Sequence, residues 1–538
     1  MRPYKPLTAS LVCAALITWA APGQAQNYRE FPIGGRTATM GGAGTAAGND
    51  SAMPYLNPAG LVGVPGDVFA VSATVYSVTR RSFDDFFYPS GTPETLGYQQ
   101  ESESFTSASV GELPSSVMYF SQPGDPEATI QHRIGFSLIV PSARRIAVVA
   151  SVAGRFTNAG GRALETESIN AHYTRYYAGP SYALGIGPDL RLGASLYGVY
   201  HRSTVTTSRT SSFSFLGGSV SSTFAGQKAQ IAEGFSVVPV VGVQLRLVSD
   251  LWLGAGVAAP SFPIAGKFRF NSDSSGVDPD PTTGVPRSVA TTSTADTEYR
   301  DYTPLRLNAG VAFDPRQGLS LAGDVHVYLK RTDTEVDGAQ RIEQRRSGEL
   351  TRQFVRDVSY STMAEQVIDL SLGAEYAFSE VVALRAGGFT DMAAVAPVTE
   401  RPDQAGRFRL NRFGGTLGVG LKSGSFDSTV GVLLAHGVGH YGASDPWVNG
   451  AVVPVRTTET TGMLILSGAI TSAEAKKAIR DTLPVDAPVP DLDGEAKVQV
   501  EVAPSPRAVK PKPPPPAPPA PPDPDSAADQ APPAPEAP

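Results

Sequence analysis

Between Leu319 and Leu329 the residues Leu319, Leu321, Val325, Val327 and Leu329 fall on one face of an extended chain, and Ser320, Asp324, His326 and Tyr328 fall on the other. A period of two over that length matches a strand crossing a bilayer at a tilt. Ile368 to Phe378 repeats the pattern, with Ile368, Leu370, Leu372, Ala374, Tyr376 and Phe378 opposite Asp369, Ser371, Gly373, Glu375 and Ala377. One face suits lipid; the other carries charges that lipid would reject and needs a polar interior. Beyond the first two dozen residues, no segment approaches the roughly 18 uninterrupted apolar residues of a transmembrane helix. A chain that crosses with strands must close into a barrel, because lipid cannot satisfy an open edge.

Soluble sandwiches and propellers alternate as well, so the connections have to discriminate. Fourteen strand-like segments can be marked: 67–80, 114–122, 131–141, 171–186, 190–206, 229–248, 251–271, 300–314, 319–333, 365–378, 381–395, 408–422, 426–440 and 453–469. The turns between them alternate. Shorter ones lie at 123–130, 187–189, 249–250, 315–318, 379–380 and 423–425; long polar ones lie at 81–113, 142–170, 207–228, 272–299, 334–364, 396–407 and 441–452. Ile146 to Ala153, inside one long connection, is apolar enough to form a further strand or a loop helix. An even count with alternating turn lengths predicts an all-β fold: a transmembrane antiparallel β-barrel of about 14 strands, with both chain ends on the periplasmic side of a Gram-negative outer membrane.

The ends of the chain read differently. Residues 1–25 have the form of a signal peptide: Arg2 and Lys5, an apolar run from Leu7 to Ala21, then the small residues around Gly23-Gln24-Ala25. Bulky Val12 before Cys13 argues against a lipoprotein signal. Cys13 is the only cysteine of the 538 residues, so the exported chain is expected to lack disulfides and thiolate metal sites. Residues 26–66 are crowded with glycine and small residues and close on Asn57-Pro58-Ala59-Gly60; such a stretch cannot bury a core alone and needs a container. Residues 470–483 open with the capping box Thr471-Ser472-Ala473-Glu474 and predict a short helix. Residues 484–538 are proline-rich and predicted disordered, serving either as a spacer or as a segment that docks peptidoglycan or a periplasmic protein.

The start of the mature chain, GRTATMGGAGTAAGNDSAMPYLNPAGL, resembles the N-terminal hatch of the long-chain fatty-acid transporter (FadL-like) outer-membrane proteins, with Asn57-Pro58-Ala59 in the place of that family's Asn-Pro-Ala motif. The stretches from Tyr302 and Arg385 look similar to the same family, and the resemblance covers about 27–469. It implies a barrel whose hatch plugs the lumen and gates passive uptake of hydrophobic compounds, with long-chain fatty acids the default cargo. It also implies a sideways exit beside an interrupted third strand, here GFSLIVPSAR. Pro141 in that strand lacks the N–H needed for a ladder bond and suits an interruption. The departure is at the end: family barrels usually finish on a terminal aromatic of the last strand, and this chain continues. The alternative reading is a structural or secretion-associated barrel whose tail docks a partner.

Other chemistry finds little support. Gly42-Ala43-Gly44-Thr45-Ala46-Ala47 imitates a dinucleotide fingerprint but follows no buried strand. His436 and His440, four apart in a strand, stand about 13 Å from each other, too far to share a metal. No nucleophile elbow or triad spacing suggests an enzyme, no cofactor motif is present, and a net charge of −7 without a basic patch argues against nucleic acid. Asp324, Asp369, Glu375, Arg385 and Lys422 are expected in a hydrated lumen network. Phe83, Phe86, Phe87 and Tyr88 form an aromatic cluster in a long connection, placed either to capture hydrophobic solute or to sit in the membrane interface.

Overall fold

The computed structural model describes residues 27–471, apart from 29–30, 47, 65, 85–97, 107, 124–127, 159, 216–220, 280–285, 400–405, 425 and 445–451. The expected signal peptide, most of the 470–483 helix and the proline-rich tail lie outside the described residues.

Nineteen strands make one antiparallel sheet. They are β1 (Val68–Phe83), β2 (Tyr98–Thr106), β3 (Ala108–Ser121), β4 (Ile130–Phe156), β5 (Gly161–Ile186), β6 (Leu190–Phe215), β7 (Ser221–Val248), β8 (Leu251–Ala258), β9 (Phe262–Pro279), β10 (Pro286–Glu298), β11 (Arg306–Arg316), β12 (Leu319–Tyr328), β13 (Arg331–Arg346), β14 (Glu349–Ala364), β15 (Val367–Ala377), β16 (Val382–Asp391), β17 (Phe408–Ser423), β18 (Phe426–Ser444) and β19 (Val452–Thr471). The sheet closes where β1 pairs with β19, from Val68 opposite Thr471 to Phe83 opposite Thr457. Consecutive pieces share a stave in five places, β2 with β3, β8 with β9, β10 with β11, β12 with β13 and β14 with β15, which leaves fourteen staves.

Alternation decides what each face meets. Ile134, Phe136 and Leu138 on β4, Leu192 and Leu196 on β6, Ile368, Leu370 and Leu372 on β15 and Val430, Val432 and Leu434 on β18 all face outward and are exposed. Asp369 and Ser371, between the outward residues of β15, are fully buried. An apolar band around a closed antiparallel barrel is the architecture of an outer-membrane protein.

Four of the long connections, 142–170, 207–228, 272–299 and 334–364, turn out to be largely strand. β4 and β5 extend to Phe156 and from Gly161, so the 142–170 connection is a hairpin arm, and Ile146 to Ala153 is strand within it. The 207–228, 272–299 and 334–364 connections likewise become extensions of neighbouring staves. The 207–228 and 272–299 arms are rich in serine and threonine on both faces, so they carry the β-propensity of a strand without the apolar alternation that marks one. The last arm turns at Ser347-Gly348, with φ of 48° and 86°, the pair of positive angles a two-residue hairpin turn needs.

Candidate functional site

The segment from Asn27 to Val64 lies against the inward faces of the staves and is almost wholly buried. It folds as α1 (Arg36–Thr39), α2 (Met53–Leu56) and a 3-10 turn over Pro58–Gly63. Elements this short have little stability of their own, and their polar groups are satisfied by the wall. Asp324 Oδ2 accepts from Gly44 N, Thr45 N and Thr45 Oγ1, each at 2.8 Å. Arg306 Nη2 donates to Tyr55 O at 2.5 Å and Asn308 Nδ2 to Leu56 O at 2.8 Å. Arg36 reaches Glu375 at 3.0 Å, and Glu375 also holds Arg385 at 2.5 Å. Asp324, Glu375 and Arg385, expected in a hydrated network, therefore bind or brace this segment.

Asn57 stands where α2 ends and the 3-10 turn begins, with extended backbone. Its Nδ2 donates to Thr45 O at 2.7 Å and Val243 O at 2.9 Å, and its Oδ1 accepts from Ala59 N at 3.2 Å. Pro58 fits the first position of the turn, where no N–H is needed. The wall is recessed to receive this motif: a Cβ added at Gly242 would overlap Asn57 Oδ1, and one at Gly193 would overlap Pro58 and Ala59 N.

Beside this motif, a small pocket of about 30 Å3 is lined by Tyr28, Tyr55, Pro141, Tyr177, Val240 and Arg306, among others. Tyr28 stacks on Tyr328 with ring centroids 4.6 Å apart, and the Arg306 guanidinium lies 3.8 Å from the Tyr55 ring centroid. That volume holds about one or two water molecules. A larger, more polar recess of about 270 Å3 opens between Arg36, Asp50, Glu375 and Lys422 and the final residues of β19.

Pro141 also lies in a stretch of β4 that has no ladder on its β3 side. β3 pairs with β4 from Ser116 opposite Ile139 to Ser121 opposite Ile134, and β2 pairs with β4 from Tyr98 opposite Phe156 to Thr106 opposite Val149. Among the described residues no ladder joins 108–115 to 140–148. The paired numbers add to 255 at Ser116–Ile139 and again at Thr106–Val149, so the two staves part and rejoin in one register. The β4–β5 ladder shifts by one residue between Ile139 and Ser142, a bulge that contains Pro141. Arg81 Nη2 donates to Arg145 O at 3.3 Å within this stretch.

Phe83 is not in an exposed loop. It belongs to β1, is buried, and packs edge-on against Phe408 and Tyr441 with ring centroids 5.9 and 5.6 Å away. Alternation carries β1 three residues past the expected boundary and turns Phe83 inward. Phe86, Phe87 and Tyr88 lie outside the described residues. Close by, Glu459 receives Arg81 Nε at 2.5 Å, Arg412 Nη2 at 2.8 Å and Arg144 Nη2 at 3.3 Å, and Arg412 also reaches Asp391 at 3.2 Å. All five side chains are buried. Arg412, Asp391 and Glu459 fall on predicted strands, but Arg81 and Arg144 fall in predicted connections, so strand parity alone could not assemble the cluster. Among the described residues no group of His, Cys, Asp or Glu could hold a metal ion, and no described helix is long and apolar enough to cross a membrane.

No protein-family model matches the sequence, and no curated protein does. Among solved structures, a Pseudomonas aeruginosa FadL homologue matches with a TM-score of 0.51 at 13% identity, over 82% of this chain and 99% of that one. The CymD monoaromatic hydrocarbon channel matches at 13% identity over 82% and 97%, with a TM-score of 0.48. The Pseudomonas putida toluene transporter TodX matches at 13% over 83% and 100%, with a TM-score of 0.46. At such identity the first of these carries the fold, which agrees with the staves, the apolar band and the closure of β1 on β19: this chain has the FadL-like fold of an outer-membrane β-barrel.

Proposed function

We propose that the protein is a passive channel through which hydrophobic compounds, long-chain fatty acids first among them, cross the outer membrane under the control of the 26–66 hatch. The observation that supports this most is the position of Pro141, which lines the pocket shared with Tyr28 and Tyr55 and sits in the stretch of β4 that has no ladder partner on the β3 side. A solute released from that pocket would meet an opening in the wall and not a polar lumen. The pocket is too small for a fatty acid or an aromatic ring as it stands, so passage requires the hatch residues that line it to move. Asn57, Pro58 and Ala59, which follow Tyr55 in the chain, would anchor the hatch to β6 and β7 during that movement. The reading is non-enzymatic and involves no cofactor. The tail from 484 to 538 would act as a periplasmic spacer.

A second reading, a structural or secretion-associated barrel, draws on the five-residue ion cluster at Glu459 and on the dense bonding between hatch and wall, both of which close the lumen. Uptake of labelled oleate and labelled toluene, by cells lacking their own channel and expressing this protein at the surface, separates the two. Uptake of either solute above the empty-vector rate is expected. Surface-inserted protein that takes up neither would overturn the channel reading and favour the structural one.

A further inference from the structure

On the outer surface of staves three to five, three basic side chains stand together where the apolar band ends. Arg145 on β4 is directly opposite His172 on β5, and Arg202 on β6 is opposite Thr174, two residues along the same face. Arg145 and His172 are exposed, and the Arg202 side chain is 54% exposed. His172 Nε2 lies 3.2 Å from Thr174 Oγ1 and feels the charge of both arginines. Arg202 shares Glu233 at 3.5 Å, but among the described residues no carboxylate pairs with Arg145 or His172.

Immediately toward the membrane, Tyr176 and Tyr200 face each other across the β5–β6 ladder, stacked with centroids 6.3 Å apart. Leu196 and Leu192 continue the same outward face into the band. Tyrosines of this kind mark the headgroup level of a bilayer. Cations crowded just beyond that level repel one another unless an anion sits among them. The partner that fits has a phosphate at this depth and acyl chains for the adjoining apolar face. A soluble anion lacks the second half.

We propose that Arg145, His172, Arg202 and the Tyr176–Tyr200 shelf dock the phosphorylated headgroup of a lipopolysaccharide molecule of the outer leaflet. Arginine suits the role because its planar donors match phosphate oxygens. The site also has a structural consequence: Arg145 lies on the part of β4 that has no ladder partner on the β3 side, so a lipid held there borders the wall opening. The proposal holds whatever the barrel carries.

The test uses the full-length protein, folded in detergent, with purified lipopolysaccharide in two forms, bisphosphorylated and phosphatase-treated. Binding is followed by native mass spectrometry and by the thermal unfolding midpoint. The untreated form is expected to bind and raise the midpoint, and the treated form to bind on the order of tenfold more weakly. Arg145→Ser with Arg202→Ser should reduce binding of the untreated form to the level of the treated one. Both positions are exposed, and retention of the heat-modifiable gel shift checks that the variant is folded. Arg246→Ser, on β7 at the opposite rim where it pairs with Asp189 of the β5–β6 turn, should bind as the unaltered protein does. Equal binding of the two lipid forms, or undiminished binding by the folded double variant, would overturn the proposal.

Discussion

From Leu190 opposite Leu245 to Ser214 opposite Ser221, β6 and β7 pair without a register shift, whereas β3 and β4 separate at Ile139 and the stave rejoins only at Val149. The first wall presents glycines to the N-terminal segment, so that Asn57, Pro58 and Ala59 come against backbone. The second presents Pro141, a bulge and a stretch of β4 with no ladder on its β3 side. Both belong to one sheet with one pattern of alternation. The difference lies in the ladders: β6 and β7 are zipped over their whole shared length where they hold the inner segment, and β3 and β4 share no ladder between Ile139 and Val149. A barrel can thus be rigid where it grips and yielding where something has to pass.

The largest effect is expected on the yielding side. Glu459→Gln would leave Arg81, Arg144 and Arg412 buried around a neutral amide, at a cost of about 3–5 kcal/mol. Chemical denaturation of the refolded barrel should show that loss, and an unchanged midpoint would mean that the cluster does not tie β1, β4, β17 and β19 together. A smaller loss is expected on the gripping side. Gly242→Val forces a side chain into the space of Asn57 Oδ1, costing about 1–3 kcal/mol by overpacking. If the inner segment acts as the proposed hatch, it gives way before the sheet and single-channel conductance should rise; a silent, fully stable variant would show that the recess is not needed. The smallest change is expected for Asn57→Ala, which removes three hydrogen bonds while Gln244 Nε2 still reaches Thr45 O at 3.2 Å. A loss of about 1–2 kcal/mol in thermal unfolding is expected.

The sequence made the barrel legible because alternation and turn chemistry are local. Leu319–Leu329 and Ile368–Phe378 announce their faces, and Gly187-Pro188-Asp189 and Ser249-Asp250 announce their turns. The broken staves were marked less openly: Pro260 lies between β8 and β9 and Pro304 between β10 and β11, and each interrupts a segment that otherwise reads as continuous strand. The hairpin arms were hidden because Thr206 to Ser214 and its neighbours are polar on both faces. Within the candidate site, Asn57-Pro58-Ala59 and Pro141 declare their backbone requirements by themselves. The Glu459 cluster does not, because Arg81 and Glu459 are 378 residues apart and meet only when β1 closes on β19. Phe83 was misplaced for a related reason: its partners Phe408 and Tyr441 come from the far end of the chain.

The most direct test bridges the wall opening. Counted on from the ladders on either side of that stretch of β4, position 113 falls level with position 142, and after removal of the expected signal peptide the chain has no cysteine of its own. Leu113→Cys with Ser142→Cys, joined by a short bis-maleimide and confirmed by mass, should abolish oleate uptake in reconstituted vesicles, while each single variant treated alike keeps transporting. If the bridged protein takes up oleate at the rate of the unbridged one, solute does not leave between these staves, and the contrast between a gripping and a yielding wall has no bearing on transport.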